Sequence, residues 1–429
     1  MGKRPGCSGD GRGSGKMHKS AQGTGAGMKL ELTDRIVVVG ASLAGLRTIE
    51  ALRDAGHQGE IVALSGEAEM PYDRPPLSKK FLKGEWDEDR LSLRRSGFED
   101  LDVDWRLGCT ALALDPAARE VQLESGDRLA YGGLVLATGS RPRALPGVPS
   151  LDGVHMLRTL ADARALRAEF LPGSRLVVIG AGFIGMEVAA SAREAGLEVT
   201  VLEALPSALL RGLGAELGSW VAEHFGSRGV EVRCGVGVKS VLGDSRIRGV
   251  ELADGSRLDA DVVVVGIGVA PVCDWLEGSG VELRDGVVCD ASGGTSLPDV
   301  VAVGDVARWY NPAYGKALRY EHWTSAVEQS APAAKRLLHG EAGASPLSQV
   351  PYVWTDLFDL RLAMVGELRE SDQMCVGQGS LDEGRFLAVF GREGRLCGAV
   401  ASRRPRPLNA CRVLIEEGAS LDEAVAAHL

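Results

Sequence analysis

Two glycine turns carry the first chemistry legible in this chain of 429 residues. The earlier is Arg35-Ile-Val-Val-Val-Gly-Ala-Ser-Leu-Ala-Gly45, an apolar strand, a tight turn and a helix start, and the next apolar run, 60–67, ends in Glu67. Gly40 allows the sharp turn, the small Ser42 lets backbone approach a pyrophosphate, and Gly45 lets the helix lie close on the strand. Free N–H groups at the helix start suit an anion. Glu67, 22 residues past Gly45, falls where a carboxylate accepts from an adenosine ribose hydroxyl. The later copy, Arg175-Leu-Val-Val-Ile-Gly-Ala-Gly-Phe-Ile-Gly-Met-Glu187, carries Gly180, Gly182 and Gly185, and the following strand, 199–203, ends in Glu203. One such turn can arise from packing alone. Two, each followed by an acid at that spacing, predict two dinucleotide sites. The second should prefer a nucleotide without a 2′-phosphate, because Glu203 would repel one and 204–210 holds no Lys or Arg. The nearest cation, Arg211, is left to the adenine or the surface.

Other stretches could complete these sites. Pro71-Tyr-Asp-Arg-Pro-Pro-Leu-Ser-Lys79 is irregular, because adjacent prolines forbid a regular helix through them, and it enters a helix over 78–82. Its place directly after a nucleotide-binding strand makes Arg74 and Lys79 candidate ligands. Strands near 121–123 and 131–137 lead to Ala137-Thr138-Gly139-Ser-Arg141-Pro, which fits backbone passing close to a nucleotide before the chain enters a second domain. A strand over 261–267 closes that domain, and the run around Gly268 reads as the crossing back. The segment from Thr295 delivers Asp305 to the C-terminal end of a buried strand, where ligands sit in open α/β sheets and where it could accept from a flavin's ribityl hydroxyls. Glu321-His322-Trp323 opens a helix continuing to Leu338, whose first N–H groups would favour negative charge on a reduced flavin. His322 reads equally as a packed or solvated histidine.

The composition is that of an ordinary soluble globular protein, the repeated strand-turn-helix units make the expected fold class α/β, and the formal charge of −10 argues against a nucleic-acid binder. Residues 1–30, rich in Gly, Ser and Lys, read as disordered; without a signal peptide or a long apolar span, a cytoplasmic protein is expected and a membrane protein is not. The eight cysteines, Cys7, Cys109, Cys234, Cys273, Cys289, Cys375, Cys397 and Cys411, form no C-x-x-C pair, and none falls within 41–107, so no redox disulfide is expected beside the first turn. No metal site is expected. The anticipated organisation is an extension, 1–32, a first nucleotide domain in two parts, 33–142 and 266–345, a second nucleotide domain, 143–265, and a small α+β domain, 346–429. A linker is expected over 341–348, antiparallel strands over 385–390 and 396–400, and a helix over 408–417.

With these motifs in view, residues 33–429 resemble the FAD-dependent ferredoxin reductases, the group that includes putidaredoxin reductase, rubredoxin reductase and the reductase components of aromatic-ring dioxygenases. The marks are the 71–79 motif, the second glycine turn ending in Glu187, the Thr295 to Asp305 segment, Glu321-His-Trp323 and Pro351-Tyr-Val-Trp354. The resemblance implies two Rossmann-like domains in the glutathione-reductase manner, an FAD domain interrupted by an NAD domain, and a C-terminal domain whose Trp354 lies near the flavin. It implies electron flow from NADH through FAD to a small iron–sulfur ferredoxin or rubredoxin that serves an oxygenase. It also implies an ion pair between Lys79 and Glu187 beside flavin N5. A physical reason stands next to that: an acid one turn into the second nucleotide helix faces a dry junction, where an unpaired charge would be costly. Arg403, Arg404 and Arg406 are the candidate ferredoxin-docking residues, since steering depends on local charge rather than the total. Ser42 replaces the family's usual middle glycine, and Thr355 and Leu357 stand where Ser and Gln are usual after the tryptophan. An NADH oxidase or quinone reductase, and an interaction flavoprotein of the apoptosis-inducing-factor kind, stay open at this point, as does Trp354 as plain core.

Overall fold

The structure, a computed structural model, describes residues 30–147, 151–369, 371 and 373–428. Its first organising element is β1 (Ile36–Val39), whose four apolar residues are buried on both faces of a parallel sheet. The chain turns into α1 (Leu43–Asp54) and returns as β2 (Ile61–Leu64). The five-stranded sheet runs Val300–Ala302, Gly133–Leu136, β1, β2, Val103–Arg106, every pair parallel. The device recurs as β3 (Arg175–Ile179), α2 (Phe183–Glu194) and β4 (Glu198–Glu203), followed by α3 (Leu210–Ser227). This second five-stranded parallel sheet runs Val230–Cys234, β4, β3, Val262–Val265, Val154–His155.

The two glycine turns are near copies. Gly40 and Gly180 sit at φ 110° and 104°, and a Cβ on either would lie 2.1 Å from the Ala137 carbonyl oxygen or 2.4 Å from that of Gly266. A Cβ on Gly45 would lie 2.0 Å from the Gly40 carbonyl oxygen, and one on Gly185 would lie 2.1 Å from that of Gly180. Each helix therefore starts in contact with the strand before it. The chain leaves and re-enters the first sheet's domain through paired antiparallel strands, Ser140–Pro142 and Val269–Pro271.

A C-terminal antiparallel sheet follows: β5 (Tyr352–Leu357), β6 (Leu360–Gly366), then Arg395–Ser402, Arg385–Arg392 and Gln373–Ser380. One face packs on the helices Pro405–Glu416 and Leu421–His428. The other joins a core that also contains Tyr72, Leu77 and Phe81 and the buried residues of α2 and α3. The β5–β6 turn is fastened to the end of α3, with Asp359 2.5 Å from Arg228 and Phe358 edge-on to Phe225 at 4.9 Å. Phe358 has φ 57°, a conformation that short hairpin turns usually give to glycine, and it is held there by aromatic packing.

Several expected elements differ. The strand over 131–137 is shorter, Gly133–Leu136, because Tyr131 donates its N–H to the Arg119 carbonyl, and Gly132 and Gly133 share the Arg35 carbonyl; Arg128–Ala130 is a separate strand. The helix over 78–82 is a π-type turn, Leu77–Phe81, behind the two prolines. The helix from Glu321 to Leu338 is two, Trp323–Glu328 and Ser330–Gly343, since Pro332 has no N–H for the Glu328 carbonyl; the second occupies the start of the linker expected over 341–348. The closing strand of the second domain is Val262–Val265. The extension expected over 1–32 lies outside the described residues up to 29, but Leu30 is buried in the core that also holds Leu337, and the Leu32 carbonyl accepts from Gln58 and Gly59. The C-terminal segment gains β5, β6, Gln373–Ser380 and a last helix beyond the elements expected there.

Gly185→Ala should lower stability by about 1–3 kcal/mol, the cost of overpacking a close contact. Denaturant melts check this, and an unchanged midpoint would mean that α2 does not rest on the Gly180 carbonyl.

Candidate redox junction

Glu187 lies one turn into α2, and its carboxylate is buried. Oε2 is 2.8 Å from Lys79 Nζ and accepts from Ser78 Oγ at 2.5 Å, while Oε1 accepts from Thr355 Oγ1 at 2.7 Å. The partners come from the 71–79 motif and from β5, so two segments distant in sequence close on a carboxylate carried by a third. Lys79 also donates to the Pro75 carbonyl at 3.1 Å, and Ser191, one turn along α2, donates to the Ser78 carbonyl at 2.7 Å. With side-chain exposures of 15% for Lys79 and 6% for Glu187, the pair is shielded from solvent, and its hydrogen bonds offset the cost of desolvation.

Beside this pair stands an aromatic wall. Asp73 accepts from Trp323 Nε1 at 2.9 Å, and Trp323 meets Trp354 edge-on at 6.2 Å between ring centres. Burial raises the Asp73 carboxyl above the usual range, against the indole hydrogen bond and the charges of Lys79 and Arg47. His322 precedes the helix Trp323–Glu328 without a side-chain bond to it and stacks on Tyr320 at 5.4 Å. Burial holds its imidazole down to about 4, so it is neutral near pH 7.

Around the first glycine turn, Arg74 is the hub. It pairs with Glu67, donates to Tyr72 Oη at 2.9 Å and to the Arg158 carbonyl at 2.7 Å, and reaches Ser42 Oγ at 3.3 Å. Glu67 also accepts from Tyr72, whose hydroxyl burial pushes well up. Asp305, at the end of its strand, accepts from Ser140 Oγ at 2.7 Å and from Arg158 at 2.9 Å, both through Oδ2. Gly304 beside it donates to Gln329 Oε1 at 2.8 Å. At the second turn, Glu203 accepts the Ala181 N–H at 2.7 Å and the Leu205 N–H at 2.8 Å, which fixes its carboxylate next to Gly180 and Gly182. Neither α1 nor α2 has an acid in its first turn or a side-chain cap, so both starts present free N–H groups. Two such cradles, with backbone in place of Cβ atoms, fit two dinucleotides.

Some of the expected ligands are turned elsewhere. Strand alternation points Ser140 inward to Asp305 and Arg141 outward, where it pairs with Asp274 at 2.5 Å. Glu321 is exposed and pairs with Arg319 at 2.8 Å. The Thr138 hydroxyl is spent on the Val272 carbonyl at 2.6 Å, tying the two crossings together, while Ala137 and Gly139 line the turn beneath Gly40 and Arg158. Gly268 sits at φ 105° and accepts from the Arg143 N–H, and Arg211 is exposed on α3. Sequence reasoning passed over Tyr72, Asp73, Ser78, Ser140, Arg158 and Thr355. The Thr159-x-x-Asp162 capping box could have placed Arg158 at a helix entrance, and Thr355 was visible only as a family departure. Among the described residues no cysteine forms a disulfide, and Cys7 lies outside them. Among the described residues no cluster could hold a metal ion, and no helix is long and apolar enough to cross a membrane.

A family model described as pyridine nucleotide-disulphide oxidoreductase matches residues 34–330, and one described as reductase C-terminal matches 352–428. The chain belongs to the pyridine nucleotide-disulphide oxidoreductase family. It is 37% identical over 393 residues to the anthranilate 1,2-dioxygenase system ferredoxin–NAD(+) reductase component of Burkholderia cepacia, covering 91% of this chain and 96% of that one. Putidaredoxin reductase of Pseudomonas putida is 32% identical, with 90% and 93% covered. A crystal structure of the covalent putidaredoxin reductase–putidaredoxin complex superposes with a TM-score of 0.86 at 31% identity, covering 92% of this chain and 99% of that one. This family's name refers to a disulfide, yet the 71–79 motif occupies the junction here with Lys79 and no cysteine.

Two measurements follow from this geometry. Lys79→Met should cost about 3 kcal/mol by stranding a buried charge, and adding Glu187→Gln should recover part of it. Additive melts would mean the pair contributes nothing jointly. Because His322 titrates lower when folded than its ordinary 6.5, the unfolded chain binds more protons between those values, and stability is lost as pH falls from about 6.5 toward 4. His322→Gln should flatten the pH dependence of melting in that window; an identical slope would contradict the buried neutral imidazole.

Proposed function

We propose that this protein is an NADH-dependent FAD reductase that passes electrons to a small iron–sulfur ferredoxin serving an oxygenase, in the cytoplasm. The observation that carries this is the junction at Glu187, where both nucleotide cradles and the C-terminal sheet meet beside a Trp pair, with a Lys–Glu ion pair where a disulfide reductase would need cysteine. The relatives' names agree: they are ferredoxin–NAD(+) reductase components and putidaredoxin reductase.

FAD would be held by Gly40, Ser42 and Gly45, with Glu67 and Arg74 toward its adenosine side and Asp305 toward its ribityl side. NADH would be held by Gly180, Gly182 and Gly185, with Glu203 on its ribose and Gly268 nearby. Bound flavin supplies the acceptance of a two-electron hydride and the release of single electrons. Lys79 and Glu187 hold a fixed charge pair and exclude water where the cradles converge. Trp323 and Trp354 wall the junction toward the C-terminal sheet, and the neutral His322 adds no charge there. The domain boundaries follow the chain crossings: an NAD-binding domain over 143–265, set between two parts of an FAD domain that closes near 345, and a C-terminal domain over 346–429.

For ferredoxin docking, the basic patch is weaker than its sequence suggests. Arg403 is 3.4 Å from Asp359, which Arg228 also binds, whereas Arg406 is exposed and Arg404 is half-buried. Steering by this patch rests chiefly on Arg404 and Arg406.

The test is anaerobic reduction by NADH, then putidaredoxin-dependent cytochrome c reduction, repeated with NADPH. NADH should be favoured by roughly tenfold or more in kcat/KM, about 1.4 kcal/mol of repulsion between Glu203 and a 2′-phosphate. Electron flow equally fast without an iron–sulfur acceptor would make it an oxidase, and no flow at all would make the flavin structural.

A further inference from the structure

We propose that Thr355 is a positioning residue for the NADH half-reaction, so that the C-terminal domain acts in hydride uptake as well as in electron delivery; this rests on the function proposed above. Thr355 is fully buried, and its hydroxyl donates to Glu187 Oε1, the oxygen that neither Lys79 nor Ser78 reaches. Among the described residues it is the side chain that fixes the second oxygen and so sets the plane of the carboxylate. Without it the Lys79 ammonium would face a carboxylate free to rotate.

The strand that carries Thr355 reaches both half-reactions. Successive side chains of β5 alternate: Thr355 shares a face with Leu357 and with Leu362 opposite it, inside the core common to α2 and the 71–79 motif, while Trp354 projects to the other face against Trp323. Neighbouring residues thus hold the acid of the hydride site and one ring of the aromatic wall. Two residues beyond Leu357, Asp359 is clamped by Arg228 at the end of α3, which ties the register of β5 to the nucleotide domain that carries Glu187. The ordinary structural reading, a buried threonine satisfying its hydroxyl on the nearest acceptor, predicts a stability effect alone. A positioning role predicts a rate effect that follows the hydroxyl.

The test uses the holoprotein and the variants Thr355→Val, which keeps the shape, and Thr355→Ser, which keeps the hydroxyl; Thr355→Ala replaces the valine variant if that one does not fold. Stopped-flow reduction by NADH should show the limiting rate reduced roughly tenfold in the variant without the hydroxyl, the loss of a hydrogen bond to a charged group, with the dissociation constant for NADH little changed. Thr355→Ser should stay within about twofold of the parent. A second readout is thermal melting of Thr355→Val, Glu187→Gln and the double variant, which should be non-additive. An unslowed valine variant, a serine variant as slow as the valine one, or additive melts would overturn the proposal. A parent protein that NADH does not reduce would instead overturn the function proposed above.

Discussion

A buried carboxylate is tolerable only if each of its oxygens finds a donor, and that requirement at Glu187 governs the assembly of this molecule. The hydrogen-bond donors are Ser78 and Thr355, 109 and 168 residues away from Glu187, and Lys79 supplies the opposite charge beside Oε2. No local element could satisfy it. The glycine turn positions α2, the prolines stiffen the approach to Ser78 and Lys79, and the C-terminal sheet delivers the threonine. An error in any of these would leave an unmet charge in the interior.

The rest of the structure can be understood as the means of bringing those parts into register. Twin glycine turns press each nucleotide helix onto its own strand, with nearly equal hypothetical Cβ clashes of 2.0 and 2.1 Å. The paired strands of the two crossings, Ser140–Pro142 and Val269–Pro271, set one sheet's domain against the other. At the far side, Arg228 and the Phe358 turn pin the C-terminal sheet to α3. Strain at Phe358, on the order of 1–3 kcal/mol, is held by the aromatic contacts around it.

What the sequence disclosed is local, and what it concealed is not. Both glycine turns and their acids were legible because turn, helix start and ribose-binding carboxylate lie within a few dozen residues and each has its own signature. The Lys79–Glu187 pairing was reached only through family resemblance, with a charge argument beside it. Between the expected Arg141 and its neighbour Ser140, the two-residue period of a strand decides direction, and it turns the serine inward. Arg158 and Thr355 were silent because their partners, Asp305 and Glu187, lie 147 and 168 residues away. The strand Gln373–Ser380 was missed since Gly, Gln and Ser dilute its alternation.

The core that α2, α3 and the C-terminal sheet share with the 71–79 motif runs in sequence from Tyr72 to Val400. On the ribosome, Leu77 and Phe81 emerge long before Phe386 and Val400 exist to cover them. Roughly the first four-fifths of the chain must therefore wait with an apolar face uncovered, a state that invites aggregation and the attention of chaperones. Truncation near residue 345 would make that state permanent. The last eighty or so residues are thus a closing piece for folding, needed to cover the apolar face that the 71–79 motif and the nucleotide helices present.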